Sequence, residues 1–260
     1  MSDEIQIERR GAVMTVTIDR PKANAIDGPT SRALGAAFIA YRDDPELRAA
    51  IITAAGDRFF SAGWDLNSAE EEAVEVDNGP GGYAGLTELF DLRKPVIAAI
   101  NGIAAGGGFE LALSCDLVLA AGHAEFLLPE VNIGIVADAG GTIRLPRRIP
   151  YHVAIEMLLT GRRMPATEAH RWGIVNRVVA KSDLLAEANA LADEIASKAP
   201  LAVAATKEIV NSTAVLSEQA SFELLRSGTL EHYERMLKSE DSLEGPRSFI
   251  EKRPPVWRGR

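Results

Sequence analysis

The chain has one cysteine, Cys115, in 260 residues, so no intrachain disulfide can form and a reducing compartment is expected. Its four histidines, His123, His152, His170 and His232, fall at no metal-ligand spacing, and no metal is expected. Acidic side chains outnumber basic ones, 37 to 28. A formal net charge of −9 argues against a broad nucleic-acid footprint. No uninterrupted apolar run is long enough to span a bilayer, and Met1 to Arg10 lacks the apolar core of a signal peptide. The expectation is therefore a cytoplasmic protein with neither membrane nor nucleic acid as partner. No fixed-period repeat or low-complexity tract is visible.

What is present is a globular composition, 47% hydrophobic and 25% charged, with length for one large domain or one plus a small appendage. Glu4–Arg9 and Ala12–Ile18 alternate around Gly11, which predicts a hairpin. Gly28-Pro29 opens a helix with Leu34, Phe38 and Tyr41 on one face. Ala49–Ala54, Leu117–Ala120 and Ile174–Val179 read as strands, and Thr167 as the cap of a short helix through Trp172. Helical patterns then cover Leu184–Ala199, Leu201–Thr213 and Ser217–Leu237. Strands alternating with helices predict an α/β core, and the strand-free end predicts a helical appendage.

Two stretches stand out. Asn101–Cys115 follows the apolar run Pro95–Ile100 with three consecutive glycines, Gly106 to Gly108, at the start of a helical segment. Such glycines let backbone pass close to another group and leave free N–H donors, which suit an oxygen that becomes negative. Glu110 follows at once. A structural turn remains open as an alternative; a dinucleotide loop does not, because the glycine spacing is wrong. The second stretch, Phe59–Leu66, runs a large apolar pair into Ser-Ala-Gly, where backbone can again come close to a ligand; the acidic, then glycine-rich 67–85 reads as a mobile segment over a site, with a disordered surface loop as its alternative. Glu130 is a further acid in an apolar setting. Taken singly, Glu110 reads equally as a dipole-favoured helix acid and Glu130 as a solvent-facing strand-end acid. Asp138 is a possible third acid, read more simply as a helix cap.

Ser61–Leu66, Asn101–Glu110, Leu128-Pro-Glu130, Gly140–Leu145 and the ending Phe249–Arg253 together resemble the enoyl-CoA hydratase/isomerase (crotonase) superfamily over essentially the whole chain. The resemblance implies a spiral of ββα turns over residues 1–198 and a C-terminal helical trimerisation region over 199–260, in a trimer or dimer of trimers. It implies a coenzyme A thioester as substrate and no other cofactor. By matching position, the backbone N–H groups of Trp64 and Gly107 form an oxyanion hole, and Glu110 and Glu130 are the catalytic acids. Lys22, Ala62, Asp65 and Leu66 fall where the family holds CoA, and Phe249 and Lys252 where it reaches a neighbouring subunit's CoA.

Finer marks, among them Gly79–Glu88, Gly161–Met164 and Pro255–Arg260, resemble members acting on carnitine-type thioesters. The implied reaction removes water from carnitinyl-CoA or adds it to crotonobetainyl-CoA. A trimethylammonium end needs aromatic faces, and Trp64, Tyr83 and Phe109 are the candidates, each with core packing as its alternative. Two other readings stand beside this one: a short-chain enoyl-CoA hydratase or isomerase, and a non-catalytic CoA- or RNA-binding relative. Retention of both acids favours hydration over isomerisation.

Overall fold

A computed structural model describes residues 4–20, 22–66 and 77–260. The acidic part of the stretch read as mobile, 67–76, lies outside the described residues. The alternating N-terminal segments form strands β1 (Ile5–Arg10) and β2 (Val13–Ile18), an antiparallel hairpin that turns at Gly11 with φ +59°. Helix α1 (Gly28–Asp43) starts where the Asp27 side chain accepts from the Thr30 N–H at 2.8 Å. Its predicted face, Leu34, Phe38 and Tyr41, is fully buried, and the Tyr41 hydroxyl donates to the Pro95 carbonyl at 2.8 Å.

Strand β3 (Ala49–Ala54) is buried at every residue, as a parallel strand covered on both faces must be. The chain then builds two sheets at once. β4 (Phe59–Ser61), β6 (Ile103–Ala105), β8 (Glu125–Leu127) and β9 (Met164–Pro165) form a small sheet in the order β4-β6-β8-β9. β5 (Val96–Ile100), β7 (Leu117–Ala121) and β10 (Arg177–Val179) extend the large one, ordered β1-β2-β3-β5-β7-β10. From β3 to β8, consecutive strands alternate between the sheets, so the chain advances as a spiral. Each turn has a different length, which is why no fixed period shows in the sequence.

One face of the large sheet meets the main core, where Ile52, Ile100, Phe60, Phe109 and Phe126 are buried. The other is covered by α6 (Leu184–Ala196), whose Leu184, Ala188 and Ala192 repeat every four residues and pack on Val13, Ile51, Ile97 and Leu119. Before α6 in the chain come α2 (Gly107–Ser114), α3 (Gly141–Arg148), α4 (Tyr151–Thr160) and α5 (Ala166–Arg171).

Three expectations need correction. The strand read over Ile174–Val179 is only β10, because the amides of Ile174 and Val175 turn back to the Ala169 carbonyl. Thr167 does not cap α5; it lies inside the helix, which starts after Pro165 without a side-chain cap. The single pattern over Ser217–Leu237 is two helices, α8 (Glu218–Leu225) and α9 (Glu231–Leu237), parted where Gly228 takes φ +76°. These follow α7 (Pro200–Thr213) and precede α10 (Glu240–Ile250). Among the described residues no helix is long and apolar enough to cross a membrane.

Candidate active site

The site grows from the junction of β6 and α2. After Ala105 the chain must reverse into a helix, and Gly106 does so at φ +53° while its N–H donates to the Leu127 carbonyl at 2.9 Å. The first turn of α2 is then pressed on the end of β4: a Cβ at Gly108 would lie 2.5 Å from the Ser61 carbonyl oxygen. Just beyond β4, Gly63 takes φ +88°, and a Cβ there would lie 2.8 Å from the Ala105 oxygen and 2.9 Å from the Gly107 nitrogen. The backbones of residues 63 and 107 therefore touch. Only glycine permits that contact.

Two backbone donors are left over at this contact. Ile26 bridges Trp64 in parallel: its N–H donates to the Gly63 carbonyl at 2.8 Å, and its carbonyl accepts from the Asp65 N–H at 3.0 Å. In extended backbone the intervening Trp64 N–H points the opposite way. The Gly107 N–H is at the start of α2 and has no intrahelical acceptor. Neither amide donates to a protein acceptor among the described residues.

Both candidate acids turn toward the same junction. Glu110 sits in the first turn of α2, only 3% exposed, and its Oε1 accepts from the Gly141 N–H at 2.8 Å. That donor opens α3, so two helix N-termini face one carboxyl group. Burial outweighs them: it lifts the Glu110 carboxyl to about 7, with Glu130 and Asp138 pushing the same way. Glu130 begins a short 3-10 turn after β8 and is 8% exposed. Its Oε1 lies 2.9 Å from where Gly106 would carry a Cβ, and its buried Oε2 has no partner among the described residues. Burial raises this carboxyl as well, followed by the charge of Asp138. Burial removes the solvent-facing alternative for Glu130, while Glu110 does occupy the first turn of α2, as its dipole-favoured alternative has it.

Other predicted residues divide. Asp138 does not cap α3: the cap position is Gly140, at φ +119°, with no side-chain cap. Phe109 is fully buried against Phe126, ring centroids 5.1 Å apart, and is a core residue. Trp64 is 38% exposed beside the free amides. Lys22 lines an exposed groove of about 300 Å3 with Arg20, Asn24 and Arg58. Ala62 is half-buried, Leu66 exposed, and Asp65 half-buried with its Oδ2 2.7 Å from Arg20. Phe249, on α10, is 85% exposed and Lys252 follows that helix at φ +52°; within one chain neither packs at the α2 junction.

The enoyl-CoA hydratase/isomerase family model matches residues 8–260. The chain belongs to this family. It is an enzyme of the hydro-lyase type. Carnitinyl-CoA dehydratase of Salmonella typhi is 57% identical over 261 aligned positions, covering 100% of both chains. An enoyl-CoA hydratase from Mycobacterium tuberculosis H37Rv has a crystal structure matching with a TM-score of 0.90, 40% identity and 99% of each chain covered. For carnitinyl-CoA hydratase from Mycobacterium avium the TM-score is 0.78, with 43% identity and 100% of both chains covered.

Sequence reasoning missed two features of this enoyl-CoA hydratase family site. At Ser-Ala-Gly it expected backbone to come close to a ligand, but not the contact of Gly63 with the Gly107 backbone. Arg20 forms ion pairs of 2.7 Å with both Asp27 and Asp65, tying the Trp64 segment to the start of α1. Nothing in the spacing of these residues announces the network. Arg20→Met is expected to remove the cation shared by two half-buried carboxylates and lower stability by about 2 kcal/mol. It should raise KM for a CoA thioester several-fold with kcat nearly kept, as thermal melts and saturation curves will read.

Proposed function

We propose that this chain interconverts carnitinyl-CoA and crotonobetainyl-CoA plus water. One observation carries the chemistry: two buried acids that feel each other's charge, Glu130 against the glycine turn and Glu110 in the helix after it, lie by two backbone amides that donate to no protein acceptor among the described residues. In this reading the amides of Trp64 and Gly107 hold the thioester oxygen as it gains charge, an interaction typically worth about 100–1,000-fold in rate per donor. For hydration, Glu110 takes a proton from the water as its oxygen bonds the substrate's β-carbon. Glu130 delivers a proton to the α-carbon, and dehydration reverses both transfers. Burial raises both carboxyls, which suits groups that exchange protons near neutral pH, and each has a backbone hydrogen bond that favours its charged form.

Coenzyme A enters as part of the substrate and no separate cofactor is needed. Lys22, Ala62, Asp65 and Leu66 would hold it from one chain, and Phe249 and Lys252 from a neighbouring copy in a trimer or dimer of trimers. The strongly exposed Val210, Val215, Leu243, Phe249 and Ile250 on and between the C-terminal helices support association through residues 199–260. The cytoplasm is the compartment of this reading.

The acyl group rests on the names of the relatives and on Trp64, an accessible aromatic face at the site. A short-chain enoyl-CoA hydratase is the second reading, favoured by the match to the Mycobacterium tuberculosis structure. An acyl-CoA panel, followed by gain or loss of the conjugated double bond, separates them. Crotonobetainyl-CoA is expected to exceed crotonyl-CoA about 10-fold in kcat/KM, the scale of one good cation–π contact. A preference for crotonyl-CoA removes the carnitine assignment.

A further inference from the structure

Tyr83 has a feature that core packing does not explain. Its hydroxyl is buried without a hydrogen-bond partner among the described residues, although leaving such a group unpaired typically costs about 1–3 kcal/mol. The ring fills the space a side chain at Gly107 would take: a Cβ there would lie 2.5 Å from Tyr83 Cζ and 2.6 Å from its oxygen. On the adjacent glycine, the corresponding position lies 2.9 Å from Glu130 Oε1. The phenol and the Glu130 carboxyl therefore border neighbouring residues of one turn, and Glu130 Oε2 is the second buried orphan there.

The tyrosine is held in place by its own segment. Gly82 turns at φ +69° and Ala84 accepts φ +52°, a conformation unfavourable for alanine. The Ala84 N–H donates to Ser31 Oγ at 3.0 Å, and Gly85 lies against Gly35 of α1. Thr87 Oγ1 donates to the Tyr83 carbonyl at 2.9 Å. Strain of this kind persists only where surrounding structure fixes it.

Resting on the hydratase reading above, we propose that Tyr83 is a third catalytic group, whose hydroxyl donates a hydrogen bond to the oxygen that is added to or removed from the substrate's β-carbon. An oxygen placed there would satisfy both orphans, the phenol as donor and Glu130 Oε2 or Glu110 as acceptor, as a buried water normally requires. No proton leaves the tyrosine: one passes between the water and Glu110, the other between Glu130 and the α-carbon. Burial, with the charges of Glu110 and Glu130, keeps the phenol neutral and hence a donor far above neutral pH.

Tyr83→Phe keeps the ring and removes only the hydroxyl. It is expected to lower kcat about 10- to 100-fold while KM shifts less than about twofold. A kcat within twofold of the parent overturns the proposal. A binding readout independent of turnover compares 3-hydroxybutyryl-CoA with butyryl-CoA by calorimetry in a Glu110→Gln background. Tyr83→Phe should weaken only the hydroxylated ligand, about fivefold. Equal changes for both ligands assign the tyrosine to packing and overturn the proposal. If the parent enzyme hydrates no enoyl-CoA, the hydratase reading fails, and the binding comparison still decides the role of Tyr83.

Discussion

Glu110→Gln is expected to lower kcat for hydration by about 1,000-fold while making the protein more stable above neutral pH. The two effects share one cause. The carboxyl is buried and holds its proton to about 7 in the folded chain, against an ordinary value of 4.5. Between those values the folded state binds more protons than the unfolded state, so its stability falls as pH rises through the window. At pH 8 the charged, buried Glu110 withholds up to about 3 kcal/mol that is fully present below the ordinary carboxylate range. A neutral glutamine avoids that loss, so its melting temperature should exceed the parent's at pH 8 and match it near pH 4. The same titration shapes the rate. Hydration needs the Glu110 carboxylate and should accelerate as pH rises through about 7; dehydration needs its protonated form and should slow there. Glu110→Gln should erase both limbs. Activity within threefold of the parent, or an unchanged acid limb, would remove Glu110 from its assigned role.

That acid was visible in the sequence, but its situation was not. Asn101–Glu110 displays glycines, a helix start and a carboxyl, and from residues alone a dipole-favoured surface acid explains them as well. The difference lies in what α3 and the 3-10 turn at Glu130 bring over the top, a contact across 31 residues to Gly141. Resemblance named both acids because it carries such long-range pairings implicitly. The fold divides along the same line. Six-residue strands such as β2 and β3 declare themselves by β-branched, apolar character, and α1 by its spaced large residues. The small sheet is built from strands of two or three residues, too short to hold a period, whose pairing is entirely non-local. Glycine-rich 79–85 looked like slack chain. Its glycines instead take defined left-handed turns, at Gly79, Gly82 and Gly85, which set Tyr83 against Gly107.

The glycine contact beneath the two free amides makes the second large prediction. Gly63→Ala adds one methyl group at φ +88°, where its carbon would meet the Ala105 oxygen at 2.8 Å and the Gly107 nitrogen at 2.9 Å. Both obstacles are backbone, one ending β6 and the other starting α2, so no side chain can swing aside. Relief requires the 63–64 segment and the α2 turn to separate, which changes the spacing of the Trp64 and Gly107 amides. If these amides hold the thioester oxygen, kcat should fall about 100- to 1,000-fold, the scale of losing one such donor. Stability should fall by about 2–4 kcal/mol from strain and crowding together. Gly11→Ala separates the two contributions. It imposes a similar conformation, φ +59°, in the β1–β2 turn with nothing within 4 Å of the added carbon. That variant should lose about 1 kcal/mol and keep kcat within twofold. Equal kcat losses in the two variants would trace the effect to general loosening rather than to the amide pair, whereas loss confined to Gly63→Ala ties turnover to the 63–107 contact.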